Sequence, residues 1–236
     1  MTSLQKLRKL VESIKDEELR SCVLSILENP TLSFAGTRPL IALDEAPASP
    51  RKHHLFRGGL ATHTLAVARI ALKLAEVFSE VYGVDVDKDL VLAAAVLHDL
   101  YKFYQYEKLG DLYAVRRDWF VEHNYALVAE LAVRKCREDL VEVVAGAHSR
   151  TPLTRVEQLI VHLADLVDAS FVEKLQNMLI EQLQHAGCAE PLLVLARMLS
   201  SMSIGELLRS VKEGGRGYLE KICRERQTID PSSQPG

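Results

Sequence analysis

The sequence predicts an all-α protein built as a helical bundle. Beyond Gly58-Gly59 nearly every stretch carries apolar residues at helical spacing, and strand-like alternation is confined to one short run. The 236 residues, 48% of them hydrophobic, suffice for one well-developed core, and no Pro/Gly/Ser-rich stretch divides them. A single domain over residues 1–228 is therefore expected.

Taken in order, residues 3–29 read as two helical pieces, with Asp16 capping the second and Pro30 ending it. From Thr31 to Gly59, Pro39, Pro47 and Pro50 interrupt periodicity, and the locally basic end RKHHLFRGG marks a loop flanking a site. A helix at about 60–82 presents Val67, Ile70, Leu74, Val77 and Val81 as a stripe directed to the core. The next helix, at about 87–99, is the most apolar of the chain. In FYQYEKLGDLYAV aromatic and polar residues alternate about Leu109-Gly110-Asp111, which predicts a small β-hairpin near residues 103–116. Helices follow at about 120–135, 138–148 and 154–185. Shorter ones over 187–225, including PLLVLARML, pack on the core or form a homodimer interface. Residues 229–236 are expected to be a disordered tail.

The net charge of −3 and a pI near 6.3 give no global attraction for nucleic acid or an anionic membrane, so an anionic ligand must be met by local charge. Cys22, Cys136, Cys188 and Cys223 are scattered without a CxxC pair and read as ordinary intracellular thiols. MTSLQKLRKL lacks the apolar segment of a signal peptide, and no window reaches the roughly 18 apolar residues of a spanning helix. The expected location is the cytoplasm, with no membrane partner.

Several polar residues stand where core is expected. His63 falls on the stripe of its helix, His123 is in phase with Leu127, and His148 closes the run Val141, Val144, Ala145. His98 and Asp99 end the most apolar helix, and Asp165 lies in LIVHLADLVDA, apolar nearly all round. A buried carboxylate costs several kcal/mol unless paired or bound to metal, on the order of the penalty for any buried ion. Singly, each histidine reads as a core imidazole; together, one metal centre explains them all. His53 and His54, in a loop, and His185, near a helix end, stand outside this argument, and His162 reads equally as a ligand, a partner of one or a packed imidazole.

A histidine, a His-Asp doublet and a distant aspartate, here His63, His98-Asp99 and Asp165, resemble the signature of the HD superfamily of metal-dependent phosphohydrolases. GGLATHT, LHDLYK and VHLADLVDA supply matching context over about residues 53–170. The resemblance implies an HD-domain bundle of five or more helices with the N- and C-terminal helices added to it. It further implies that His63, His98 and Asp165 hold one metal, that His123 and His148 hold a second, and that Asp99 bridges them. A mostly imidazole shell favours two divalent transition ions, Mn, Fe, Co, Ni or Zn, over Mg. GGLATHT also resembles an exoribonuclease branch whose members carry an N-terminal OB-type barrel, whereas the first 50 residues here lack strand periodicity.

The implied activity is hydrolysis of a phosphoester in a nucleotide, cyclic nucleotide or short oligonucleotide by metal-activated water. Asp99 and Lys102 are the candidate catalytic residues, and Lys102, Arg57, His54, His53 and Arg150 the candidate substrate-binding ones, Lys102 through its HDxxK context. Tyr101, Tyr104 and Tyr106 could stack a nucleobase or pack the hairpin. Two other readings stay open at this point: a di-iron oxygenase on the same fold, and a nucleotide-sensing or scaffold module with structural metals.

Overall fold

A computed structural model describes residues 1–148 and 153–226. Among the described residues the regular structure is helical apart from one hairpin: α1 (Ser3–Val11), α2 (Glu17–Glu28), α3 (Gly59–Tyr82), α4 (Lys88–Leu97), a 3₁₀ helix (Leu100–Gln105), β1 (Tyr106–Leu109), β2 (Leu112–Val115), α5 (His123–Val133), α6 (Glu138–Ala147), α7 (Val156–His185), α8 (Pro191–Leu199) and α9 (Ile204–Arg226). Residues 29–58 form an irregular connection between α2 and α3. Asp16 caps α2 by accepting from Leu19 N at 2.9 Å, satisfying one of the donors a helix start leaves free. β1 and β2 pair antiparallel, Tyr106 opposite Val115, with Gly110 at φ 60° turning the chain. The candidate tail lies outside the described residues.

α4 is the centre of the molecule. Leu90 through Leu97 are all buried, as an almost uniformly apolar helix must be. α3 packs on it and on α7, while α2, α6 and α7 close its other sides. A second apolar cluster joins the C-terminal half of α7 to α8 and α9 through Leu179, Leu183, Val194, Leu195 and Ile222. PLLVLARML thus buries its apolar face within the chain.

Three expectations change. Val77 and Val81 are exposed, because the face that α3 turns to the core runs through Val67, Ala68, Ala71 and Ala75 to the partly buried Phe78, which leaves Val77 and Val81 on the outer side of the helix. The helix expected from residue 120 starts at His123, leaving Phe120 85% exposed ahead of it. The cysteines are not free: Cys22 pairs with Cys136 and Cys188 with Cys223, partners 114 and 35 positions apart that folding alone makes adjacent. Among the described residues no single helix is long and apolar enough to cross a membrane.

Candidate metal centre

α4 stops at Leu97, and the chain tightens into the 3₁₀ helix just beyond His98 and Asp99. That change of pitch lets two successive side chains face one space, which a continued α-helix would place about 100° apart. α3 brings His63 to it from one side and α7 brings Asp165, while His123 at the first residue of α5 and His148 just after α6 approach from the other. His63, His98 and Asp99 are fully buried.

The two oxygens of Asp99 face different groups. Oδ2 lies 3.3 Å from His63 Nε2 and 3.6 Å from His98 Nε2, and Asp165 Oδ1 adds a contact of 3.1 Å to His63 Nε2. Oδ1 lies 3.1 Å from His123 Nε2 and 3.2 Å from His148 Nε2. The result is two sets of donors sharing one carboxylate, His63, His98, Asp99 and Asp165 in one, Asp99, His123 and His148 in the other.

These residues fit divalent ions. Nε2 of His63, His98 and His148 and both ring nitrogens of His123 are buried without a hydrogen-bond partner, and the Asp99 oxygens touch cationic groups without accepting a well-aligned hydrogen bond. Such orphans are costly unless something else satisfies them. Donors about 2.1 Å from one ion stand about 3.0 to 3.4 Å apart in octahedral or tetrahedral shells, close to the spacings found.

The imidazoles are held in orientation from behind. His63 Nδ1 donates to Asp168 Oδ2 at 2.6 Å and His98 Nδ1 to the Ala95 carbonyl at 2.8 Å, which leaves each Nε2 turned inward. Burial alone would lower the pKa of His63, but Asp165, Asp168 and Asp99 together outweigh it and raise it to about 10. Burial likewise opposes ionisation of Asp99, yet the Lys102 ammonium and His98 hold its carboxyl well below the usual range. Lys102 Nζ is 2.5 Å from Asp99 Oδ2; it reaches there as the third residue after Asp99 on the 3₁₀ helix, not through a continued α4.

His53 and His54 depart from expectation. Though in a loop, they are 8% and 2% exposed, with ring centroids 4.9 and 5.3 Å from that of His63. Burial, reinforced by the charge of His63, lowers the pKa of His53 to about 4 and holds that of His54 well below the usual imidazole range. Gln176 of α7 clamps this loop, accepting from Leu55 N at 3.3 Å and donating to the Lys52 carbonyl at 2.9 Å. Gly59 is obligatory opposite it, since a Cβ there would collide with the His54 carbonyl.

Arg57 is not brought into the cluster; it pairs with Glu45 at 2.9 Å and is 59% exposed along its side chain. Arg150 lies outside the described residues. His162 donates from Nδ1 to the Ala147 carbonyl at 3.0 Å and ties α7 to α6 as a packed imidazole. Tyr101, Tyr104 and Tyr106 are buried packing residues, unavailable for stacking. Sequence reasoning missed Asp168 and Gln176. Asp168 carried a usable signal, because a second carboxylate three residues after Asp165 in an apolar helix is as hard to bury as the first.

Comparison with known proteins agrees with this geometry. The HD domain family profile matches residues 60–170. A dihydroneopterin 2',3'-cyclic phosphate phosphodiesterase of Methanocaldococcus jannaschii is 43% identical over 171 residues, covering 70% of this chain and 69% of its own. The 3'-5' exoribonucleases YhaM of Shouchella clausii and Listeria innocua are 29% and 31% identical over 53% and 59% of this chain. The chain spans only 42% and 46% of their lengths. No solved structure gives a significant match. Helical architecture, the paired donor sets around a His-Asp doublet and the extent of the first of these likenesses lead to one conclusion: the chain belongs to the HD domain family.

Proposed function

We propose that the protein is a metal-dependent phosphodiesterase that opens the cyclic phosphate of a small molecule. The observation that carries the reading is the division of Asp99, one oxygen toward His63 and His98 and the other toward His123 and His148. In this reading His63, His98 and Asp165 ligate one ion, His123 and His148 a second, and Asp99 bridges them. The imidazole-rich set selects Mn, Fe, Co, Ni or Zn over Mg. Bound ions would supply Lewis acidity and lower the pKa of a water to near neutrality. Lys102, 15% exposed along its side chain at the edge of the cluster, contributes positive charge to the phosphoryl oxygens. His53 and His54 line the centre as neutral hydrogen-bonding groups, and Arg57 belongs to the approach through its exposed position. The cyclic-phosphate substrate is favoured over RNA by the relative of Methanocaldococcus jannaschii, matched over far more of its length than the exoribonucleases are. A homodimer through the C-terminal helices would have to use α9, since α8 is buried, and sedimentation would test it.

The test is to strip the protein of metal, reload it with each candidate ion, and assay 2',3'-cyclic phosphates of nucleosides and of dihydroneopterin beside linear phosphomonoesters and a short RNA. Asp99→Ala is expected to lose metal and hydrolysis together. Full activity in that variant, or iron-dependent oxygen uptake without ester cleavage, would overturn the proposal.

A further inference from the structure

A cavity of about 340 Å³ opens between the end of the 3₁₀ helix, the hairpin and the segment leading into α5, a size suited to one small ligand or part of a larger one. Its walls are joined to the metal centre at three points. Gln105 follows Lys102 on the same 3₁₀ helix, and Glu122 directly precedes His123. Tyr106 donates through its hydroxyl to the Ala48 carbonyl at 3.0 Å, and Ala48 N donates to the His54 carbonyl at 3.1 Å, so the loop behind His63 forms part of the same wall.

The cavity combines flat apolar surface with polar groups that have no other task. Trp119 and Phe120 line it, their ring centroids 5.9 Å apart, and Phe120 presents its ring to solvent. Among the described residues neither the Glu122 carboxylate nor the Gln105 amide makes a hydrogen bond or ion pair. Arg116, the nearby cation that could neutralise Glu122, is already committed. Its Nε and Nη2 donate to Asp118 at 2.7 and 2.6 Å, and its Nη1 donates to the Arg38 carbonyl at 2.8 Å.

We propose that this cavity is the heterocycle subsite of the substrate and that it takes a ring bearing a 2-amino-4-oxopyrimidine edge, the edge shared by pterins and guanine. The assignment rests on the cyclic-phosphodiesterase reading. That edge offers two parallel N–H donors, a match for the two oxygens of Glu122, while its oxo group accepts from the Gln105 amide. Phe120 covers one ring face. An adenine ring carries an acceptor where the second donor is needed, and the Glu122 carboxylate repels it.

Trp119 is the sole tryptophan of the chain, so its fluorescence reports on this cavity directly. The metal-loaded protein is titrated with guanosine, neopterin, inosine and adenosine, none of which carries a phosphoester to be cleaved. Guanosine and neopterin are expected to quench saturably; inosine, lacking the 2-amino group, binds roughly ten-fold more weakly, and adenosine more weakly still. Glu122→Gln should erase the difference between guanosine and inosine, and Phe120→Ala should weaken both by roughly ten-fold, the scale of one lost stacking contact. Tighter neopterin binding assigns the ring to a pterin, tighter guanosine binding to a purine. Absence of saturable quenching, equal affinity for guanosine and adenosine, or a guanosine preference that survives Glu122→Gln would overturn the assignment. Since no catalysis is involved, failure to hydrolyse cyclic phosphates would sink the proposed reaction and leave this result standing.

Discussion

Asp168 lies behind the ligand set yet determines how one member of it points. By accepting the Nδ1 proton of His63 at 2.6 Å it fixes the tautomer whose Nε2 faces Asp99 and Asp165. Asp168→Asn preserves shape while removing the charge that favours this arrangement. It is expected to weaken metal binding by roughly 10- to 100-fold, measured by chelator competition, with hydrolysis recovering in excess metal. Unchanged metal affinity would show that His63 orients without help. The residue scale also explains why His53 and His54 escaped sequence reasoning. Nothing in RKHHLFRGG reports that Gln176, more than 120 positions later in the chain, will pull that loop onto α7.

At the scale of elements, α5 must be fixed before His123 can be. Glu130, fully buried in its middle, accepts from Ser33 N at 2.6 Å, Ser33 Oγ at 2.7 Å and Arg134 Nε at 2.7 Å. Arg134 in turn donates to the Ser25 and Asn29 carbonyls, at 2.9 and 2.7 Å, at the end of α2. Glu130→Ala leaves Arg134 without its carboxylate and should destabilise the protein by about 3 kcal/mol, read from denaturant unfolding. Burial raises the pKa of Glu130, but Ser33 and Arg134 outweigh it and the net shift is downward from 4.5. The unfolded chain therefore binds the proton more readily, so this stabilisation is present above about pH 4.5 and is lost as pH falls further. The stability gap between wild type and Glu130→Gln should accordingly narrow in acid; a gap that widens there would contradict the sign.

Over the whole molecule, α7 serves as a common spine. Its N-terminal half carries Asp165 and Asp168 into the main core, and its C-terminal half holds Leu179 and Leu183 in the second cluster. Each apolar cluster is tied by one disulfide, the main one by Cys22–Cys136 across α2 and the residues after α5, the second by Cys188–Cys223 between the α7–α8 connection and α9. Replacing Cys22 and Cys136 by serine should cost about 2 to 5 kcal/mol, since a cross-link spanning 114 positions removes much freedom from the unfolded chain. A melting temperature unaffected by the substitution, and by reductant in the wild type, would show that the thiols are unpaired in solution.

The sequence by itself determined the helical class, the hairpin and the bounds of the central helices to within about three residues, because helical periodicity, caps such as Asp16 and breakers such as Pro30 act within a few residues. It also marked His63, His98, Asp99, His123, His148 and Asp165, because polar groups on apolar faces conflict with burial whatever the surrounding fold. Only the tertiary structure decided that Asp99 divides its oxygens between two donor sets, that Asp168 and the His53–His54 loop stand behind His63, and that the cysteines meet in pairs. Those facts depend on contacts between residues tens to more than a hundred positions apart, and local patterns carry no information about which distant surfaces the packing of α3, α4 and α7 will bring together.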